Sequence, residues 1–336
     1  CGRGYRAAYP VRANLAIQAL NNMVFLQLIF GFALLVAGGE ALVRGAVSVA
    51  ARFGVSPLLI GLTLVGFGTS TPELVTSLQA AFGGFPGIAV GNVVGSNVAN
   101  ILLILGVAAV IMPLAIDSVA FRRDGTALAI ATTLAVGVIL FGSLDRWMGG
   151  VLIVALLAYL WIAYRSDSTA VAAHSAQVTP DTTPIPGPVW IAIALAVGGI
   201  VVTILGARLT VDAAVTVALL WGMSETVVGL TIVAVGTSLP ELVTSVMAAL
   251  RRESGIAFGN VVGSNIYNIL GILGVTALAR PIPIPPQIAQ LDVWVMSAAT
   301  LALIIAVMAW QQIGRVTGIL FLGAYAAYTG WLVAAA

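Results

Sequence analysis

The sequence has no lysine, and all charged residues together make up only 8% of its 336 positions. A soluble domain of this size carries about 25% charged residues, so this chain has too few to cover a surface in water. Its single cysteine, Cys1, excludes an internal disulfide bond. The net charge of +2 is spread over short loops, which leaves no basic patch for binding nucleic acid.

Long apolar runs are what the sequence has instead, with 60% hydrophobic residues and a mean hydropathy of +1.11. About 20 consecutive apolar residues cross a bilayer as a helix. Ten such runs occur, and they are apolar on all sides rather than along one stripe. We therefore predict an all-α integral membrane protein with ten transmembrane helices. The predicted spans are 23–43, 54–82, 87–112, 124–142, 147–164, 188–208, 223–250, 256–279, 290–310 and 313–334.

A polar connector divides these spans into two groups of five. Residues 165–187 are rich in Ser, Thr and Pro and are predicted to form a solvated linker. The first repeat is then 23–164 and the second 188–336. Residues 1–22 carry three arginines and no apolar core, so we predict either a disordered extension or a natural start at Met23.

The arginines predict the orientation of the spans. If residue 23 starts outside, eight arginines fall in cytoplasmic loops, and three (Arg146, Arg208 and Arg280) fall opposite. Cytoplasmic loops carry an excess of basic residues, so both termini are predicted to lie outside. The cytoplasmic set is Arg44, Arg52, Arg122, Arg123, Arg165, Arg251, Arg252 and Arg315.

An internal repeat is the sharpest feature of the sequence. Segment 68–102 aligns without gaps on 236–270, an offset of 241 − 73 = 168. Roughly two-thirds of these positions are identical. Because five spans separate the copies, an odd number, we predict two inverted five-helix repeats, as in secondary transporters. The same register aligns the opposite-charge pair Glu40 and Arg44 with Arg208 and Asp212, and each pair is predicted to be structural.

Each copy carries one carboxylate, and Glu73 and Glu241 are predicted to be the only acids deep inside apolar spans. An ionisable residue at membrane depth is costly and points to function. Pro72 and Pro240 remove a helical N–H shortly before each acid and free a backbone carbonyl. Hydroxyl groups precede both acids, at Thr69, Ser70, Thr237 and Ser238.

The following span of each repeat adds neutral oxygen ligands at four-residue spacing, which places them on one helical face. The first set is Asn92, Ser96 and Asn100, and the second is Asn260, Ser264 and Asn268. Carboxylate, hydroxyl and amide oxygens suit Ca²⁺, whereas zinc or copper would need His and Cys, which the spans lack. Two carboxylates carry a charge of −2, which one Ca²⁺ neutralises and which can also hold two or three Na⁺, or two protons. If Ca²⁺ and these monovalent ions cannot be bound at the same time, the site would exchange one for the other, which is antiport.

The motifs GTSTPE (68–73), GTSLPE (236–241) and GNVVGSN (91–97 and 259–265) resemble those of the cation/Ca²⁺ exchanger superfamily, most closely the prokaryotic sodium/calcium exchangers. The resemblance covers essentially 23–336. It implies a prokaryotic inner membrane and ions bound between the second, third, seventh and eighth spans. The implied ligands are Glu73, Thr69, Ser70, Ser96, Asn100, Glu241, Thr237, Ser238, Ser264 and Asn268, with the carbonyls of Gly66 and Ala234.

We therefore expect a secondary active antiporter that moves Ca²⁺ against Na⁺ by alternating access, with H⁺/Ca²⁺ antiport by the same fold as the alternative. A passive channel is disfavoured by the inverted repeat, and an enzyme by the absence of a serine paired with a base. Neither an organic cofactor nor an oligomer is implied. Many relatives carry Asp where this chain has Asn268, so K⁺ co-transport is not expected.

Overall fold

The computed structural model describes residues 8–174, 185–221 and 234–335, and most of them are helical. Helices of the first half are α1 (Ala8–Phe53), α2 (Pro57–Thr69), α3 (Thr71–Gly83), α4 (Pro86–Ile111), α5 (Ser118–Phe141) and α6 (Arg146–His174). Helices of the second half are α7 (Val189–Leu220), α8 (Ala234–Thr237), α9 (Leu239–Leu250), α10 (Ser254–Ala279), α11 (Ile288–Trp310) and α12 (Arg315–Ala335).

The prediction of an all-helical membrane protein is confirmed. Within the described ranges, eight helices are long and apolar enough to cross a bilayer, and the bent pair α2–α3 adds a ninth. Only part of the predicted span 223–250 is described, as the short helices α8 and α9. The full count of ten stays a prediction.

Several helices run past the predicted span ends. Helix α1 begins at Ala8, inside the segment predicted as an extension, and ends at Phe53. Helix α6 continues to His174, inside the predicted linker, and α7 ends at Leu220. Residues 1–7 and 175–184 lie outside the described residues, so the predicted extension and linker stay predictions.

Two short strand pairs join the halves at opposite ends of α5. Strand β1 (Leu114–Ala115) precedes α5 and pairs with β4 (Gln312–Ile313). Strand β2 (Ser143–Leu144) follows α5 and pairs with β3 (Ile282–Pro283). The offset of 168 carries 114–115 onto 282–283 and 144 onto 312, so the two strand pairs are counterparts of each other.

Helices α1 and α7 cross at very short range. A Cβ atom built on Gly38 would lie 2.5 Å from the backbone nitrogen of Thr203, and one built on Gly206 would lie 2.6 Å from that of Leu35. Gly38 and Gly206 are counterparts in the repeat. Small residues at a crossing let two backbones approach, which stabilises helix pairs in lipid. The two helices therefore form one closely packed unit.

Helices α4 and α10 lie at the centre of the molecule. In their most apolar segments, 72% and 83% of residues are buried, against 11% for α12 at the periphery. Close contact with α2 requires a glycine on α10, because a Cβ atom built on Gly259 would lie 2.6 Å from the carbonyl oxygen of Leu58. The polar motif residues on these two helices are thus held inside the protein, away from lipid.

Candidate ion-binding site

Two helix breaks position the repeated acids. Helix α2 ends and α3 begins at Ser70, with a bend of 43° between them. Helices α8 and α9 are separated in the same way at Ser238. A proline in the first turn after each break removes an N–H that a continuous helix would need. Glu73 and Glu241 both lie in that first turn, where the helix dipole favours a negative charge.

Hydrogen bonds across the two repeats link these breaks. The Ser70 hydroxyl donates to Oε1 of Glu241 at 2.8 Å, and the Ser238 hydroxyl donates to Oε1 of Glu73 at 3.3 Å. Glu73 is 1% exposed and Glu241 is fully buried. Each serine thus binds the carboxylate of the other repeat, so the two acids share one buried site.

Asn92 and Asn260 brace the broken helices from α4 and α10. The Asn92 amide donates to the carbonyl oxygen of Glu73 at 3.1 Å and to the hydroxyl of Ser77 at 2.9 Å. Asn260 donates in the same way to Glu241 at 3.1 Å and to Ser245 at 2.8 Å. The sequence analysis missed these serines, although each follows its acid by four residues in both copies of the motif.

The structure also brings most of the remaining predicted ligands to this interface. The Ser264 hydroxyl donates to the Gly66 carbonyl at 3.2 Å. The Thr69 hydroxyl lies 3.1 Å from Oδ1 of Asn260. Ser96 is buried on α4, which packs against α8, the helix that begins at Ala234 and ends at Thr237.

Asn100 and Asn268 lie in wide helical turns that the sequence analysis did not predict. The π-helical segments Asn100–Leu105 and Tyr267–Leu273 interrupt α4 and α10 at equivalent places. Such turns concentrate at functional sites because they leave backbone groups without their usual partners. The Asn100 amide donates to Oδ1 of Asn265 at 2.9 Å, so Asn265 is a further member of this polar cluster.

Five buried acceptor oxygens in the cluster receive no hydrogen bond from the described residues. They are Oε2 of Glu73, Oε2 of Glu241 and the Oδ1 atoms of Asn97, Asn100 and Asn268, and the amide nitrogen of Asn268 is likewise without a partner among these residues. Buried polar atoms without a partner are costly and are rare in native proteins. Oxygen-rich sites of this type suit a hard cation such as Ca²⁺. The donor set therefore fits cation binding.

The negative charge of the site has no basic partner in the described part of the chain. Among the described residues neither Glu73 nor Glu241 pairs with an arginine; the serine hydroxyls of Ser238 and Ser70 donate to them instead. Asp124, by contrast, is fully buried on α5 but receives hydrogen bonds from Arg123 at 2.6 and 2.9 Å. Asp124 is the first residue of its predicted span, so the expectation that Glu73 and Glu241 are the only acids deep inside apolar spans stays a prediction. The charge of Asp124 is thus matched by Arg123, unlike the charges of Glu73 and Glu241.

The two predicted structural ion pairs differ in outcome. Arg44 binds Glu40 at 2.7 Å, as expected for residues four apart on a helix. Arg208 and Asp212 form no ion pair, although both are described. Besides Arg44, Glu40 has a second partner, because Arg251 at the end of α9 donates to its Oε2 at 2.5 Å.

Comparison with known proteins gives matches along nearly the whole chain. Residues 23–165 and 191–334 match the model of a family described as sodium/calcium exchanger protein. A putative antiporter, CaxA of Alkalimonas amylolytica, is 38% identical over 307 residues, covering 89% of this chain and 95% of its own. The sodium/calcium exchanger MaX1 of Methanosarcina acetivorans is 32% identical over 338 residues, covering 90% of this chain and 97% of its own.

Among solved structures, the sodium–calcium exchanger NCX_Mj soaked with Na⁺ and Ca²⁺ matches with a TM-score of 0.78 and 33% identity. The match covers 90% of this chain and 96% of that one. The family model and the solved structure therefore match nearly the same part of this chain.

Proposed function

The chain belongs to the sodium/calcium exchanger family, and on that premise we propose that it is a secondary active antiporter exchanging Ca²⁺ for Na⁺. One observation carries this proposal: two buried carboxylates, one from each repeat, each keep an oxygen that receives no hydrogen bond from the described residues. A cation between the repeats would satisfy both oxygens and the free Oδ1 atoms of Asn100 and Asn268. The other motif residues predicted as ligands would supply further oxygens to that cation.

Competition for this site explains exchange without further machinery. Glu73 and Glu241 supply a charge of −2 that no arginine of the described ranges pairs with, and one Ca²⁺ neutralises it. Several Na⁺ ions can neutralise the same charge only when Ca²⁺ has left. Binding that is mutually exclusive, together with access from alternate sides, couples the two fluxes.

The strand pairs support inverted repeats in the membrane. Strands β1 and β3 are counterparts in the repeat, yet β3 pairs with β2, at the end of α5 opposite to β1. Counterparts that lie at opposite ends of one membrane helix are expected when the repeats insert in opposite directions. The ion site would then lie near the bilayer midplane, with both termini outside by the arginine distribution.

Helices α1 and α7 are the proposed moving parts. They pack on each other at very short range through Gly38 and Gly206, and they carry none of the predicted ligands. Their outer faces are apolar, with Phe30 59% and Val201 50% exposed, so sliding in lipid carries little polar cost. We infer that the pair moves as one body over the core of α2–α4 and α8–α10.

The decisive experiment is uptake of radioactive Ca²⁺ into proteoliposomes that contain the purified protein. An outward Na⁺ gradient is expected to drive uptake, and an equal pH gradient without Na⁺ is not. Uptake driven by the pH gradient alone would replace Na⁺ by H⁺ as the counter-ion. Uptake driven by neither gradient would overturn antiport.

A further inference from the structure

A groove of about 660 Å³ runs between α5 and α11, on the outside of the molecule. One helix comes from each half of the chain. Where the two helices touch, the hydroxyl oxygens of Thr132 and Thr300 lie 3.3 Å apart. Apolar side chains line most of its length, namely Ala129, Ile130, Leu134, Ile304, Val307 and Met308. Arg122, Thr126 and Gln311 line one end.

The apolar part of this groove faces the lipid. Ile130 is 54% exposed and Met308 is 70% exposed, which in a membrane protein means contact with acyl chains. Trp310, 61% exposed, lies one residue before Gln311 at the same end of α11. Tryptophan is enriched at the level of the lipid headgroups, so the polar end of the groove lies at the membrane surface.

At that end Arg122 is a cation that pairs with none of the described side chains. Its side chain is exposed and makes no ion pair or hydrogen bond with the described residues, whereas its neighbour Arg123 is held by Asp124. Arg122 also belongs to the larger arginine set, which predicts the cytoplasmic side. Anionic lipids attract arginines near that surface.

The repeat supplies a natural comparison. The offset of 168 carries Arg122 onto Gln290 and Thr126 onto Trp294. The equivalent positions of the other repeat therefore carry an amide and an indole in place of the cation and the small hydroxyl. The presence of an arginine at position 122 is therefore not explained by the repeat, which has no basic residue at the equivalent position.

We propose that this groove binds one anionic glycerophospholipid, with an acyl chain along α5 and α11 and its phosphate against Arg122 and Gln311. Guanidinium groups bind phosphate oxygens through charge-assisted hydrogen bonds, and the apolar wall matches a hydrocarbon chain. The lipid would contact both halves at their seam and stabilise the packing of α5 on α11.

Native mass spectrometry of the detergent-purified protein tests this by counting retained phosphatidylglycerol, with thermal unfolding as a second readout. One phosphatidylglycerol should be retained in preference to phosphatidylcholine, and it should raise the unfolding temperature. Arg122→Gln should weaken this binding about fivefold, the effect of about one arginine at a charged surface. Thr126→Trp, which copies the other repeat, should block the groove while leaving Arg122 in place.

Arg208→Gln is the matched control, since Arg208 is also exposed and forms no ion pair with the described residues. It should bind phosphatidylglycerol as the wild type does. Soluble glycerol phosphate should give no thermal shift, because it lacks the acyl chain. Equal retention of phosphatidylcholine, or unchanged binding in both Arg122→Gln and Thr126→Trp, would overturn the proposal. If Arg122→Gln fails to fold, Thr126→Trp and the lipid comparison still decide.

Discussion

The ion pair between Glu40 and Arg251 should act as a one-sided latch on the proposed gate. Glu40 lies on α1, which is proposed to move, and Arg251 follows α9, which belongs to the core. Arg251 binds both carboxylate oxygens of Glu40. Movement of α1 away from the core at this end must break that contact. The pair with Arg44 lies within α1 and is retained in either state.

The size of the effect follows from exposure. Both side chains are 26% exposed, so the pair lies between a surface ion pair, worth about 0.2–1 kcal/mol, and a charge-assisted bidentate pair, worth about twice a neutral hydrogen bond. We take about 1 kcal/mol, or roughly fivefold in the equilibrium between closed and open at this end. The counterparts of Glu40 and Arg251 are Arg208 and Gly83, so the opposite end has no equivalent contact.

Arg251→Gln and Glu40→Gln should therefore shift the protein roughly fivefold toward the state open on the cytoplasmic side. Double electron–electron resonance between spin labels at Phe53 and Leu250, which are 61% and 60% exposed, would measure the two populations. High salt should shift the wild type in the same direction by screening the pair. The exchanged variant Glu40→Arg with Arg251→Glu should restore part of the original balance, and Arg208→Gln should change nothing. Unchanged distance distributions in both single variants, with transport intact, would refute the latch.

Three further outcomes are expected. Glu73→Gln and Glu241→Gln should each reduce Na⁺-driven Ca²⁺ uptake at least about tenfold, because one negative charge is left against a divalent ion. Asp212 is an exposed acid outside the site, so Asp212→Asn should transport Ca²⁺ as the wild type does. Near-normal uptake in both glutamine variants would refute the site. Exchange should be electrogenic, since three Na⁺ carry one more charge than one Ca²⁺, and uptake insensitive to a clamped membrane potential would contradict this. Exchange should also be independent of K⁺, because Asn268 stands where an acid would be needed. A K⁺ requirement appearing in Asn268→Asp would support the role of the missing acid. Gly206→Leu should separate α7 from α1 and lower the free energy of unfolding by about 1–3 kcal/mol through overpacking. Thermal unfolding would measure this against the control Gly330→Leu, where an added Cβ meets open space. Equal unfolding temperatures of the two variants would exclude the close crossing.

Much of the site could be predicted because its signals are local and occur twice. A carboxylate within an apolar run, a proline one residue before it and hydroxyls within one turn can all be seen in a short segment. The offset of 168 then shows that two such segments exist. The helix breaks at Ser70 and Ser238 lie within those segments, as the prolines predict. The ligand roles of these residues stay predictions.

Contacts between distant segments could not be predicted in the same way. Asn92 and Asn260 are predicted to line the site, which stays a prediction, but the sequence does not show that their amide nitrogens donate to the backbone carbonyls of Glu73 and Glu241. The wide turn at Asn100 has no recognisable residue pattern, because the energy of an inserted residue depends on the helices packed around it.

Composition, apolar run length and the repeat by themselves determined that this chain is a helical membrane protein with two related halves and two repeated acids. Only the tertiary structure decided that Ser70 binds Glu241 and Ser238 binds Glu73, each in the opposite repeat. It also decided that Glu40 pairs with Arg251, 211 residues away. The physical reason is that helix formation and burial depend on neighbours along the chain, whereas hydrogen bonds between helices depend on which faces meet once the helices pack.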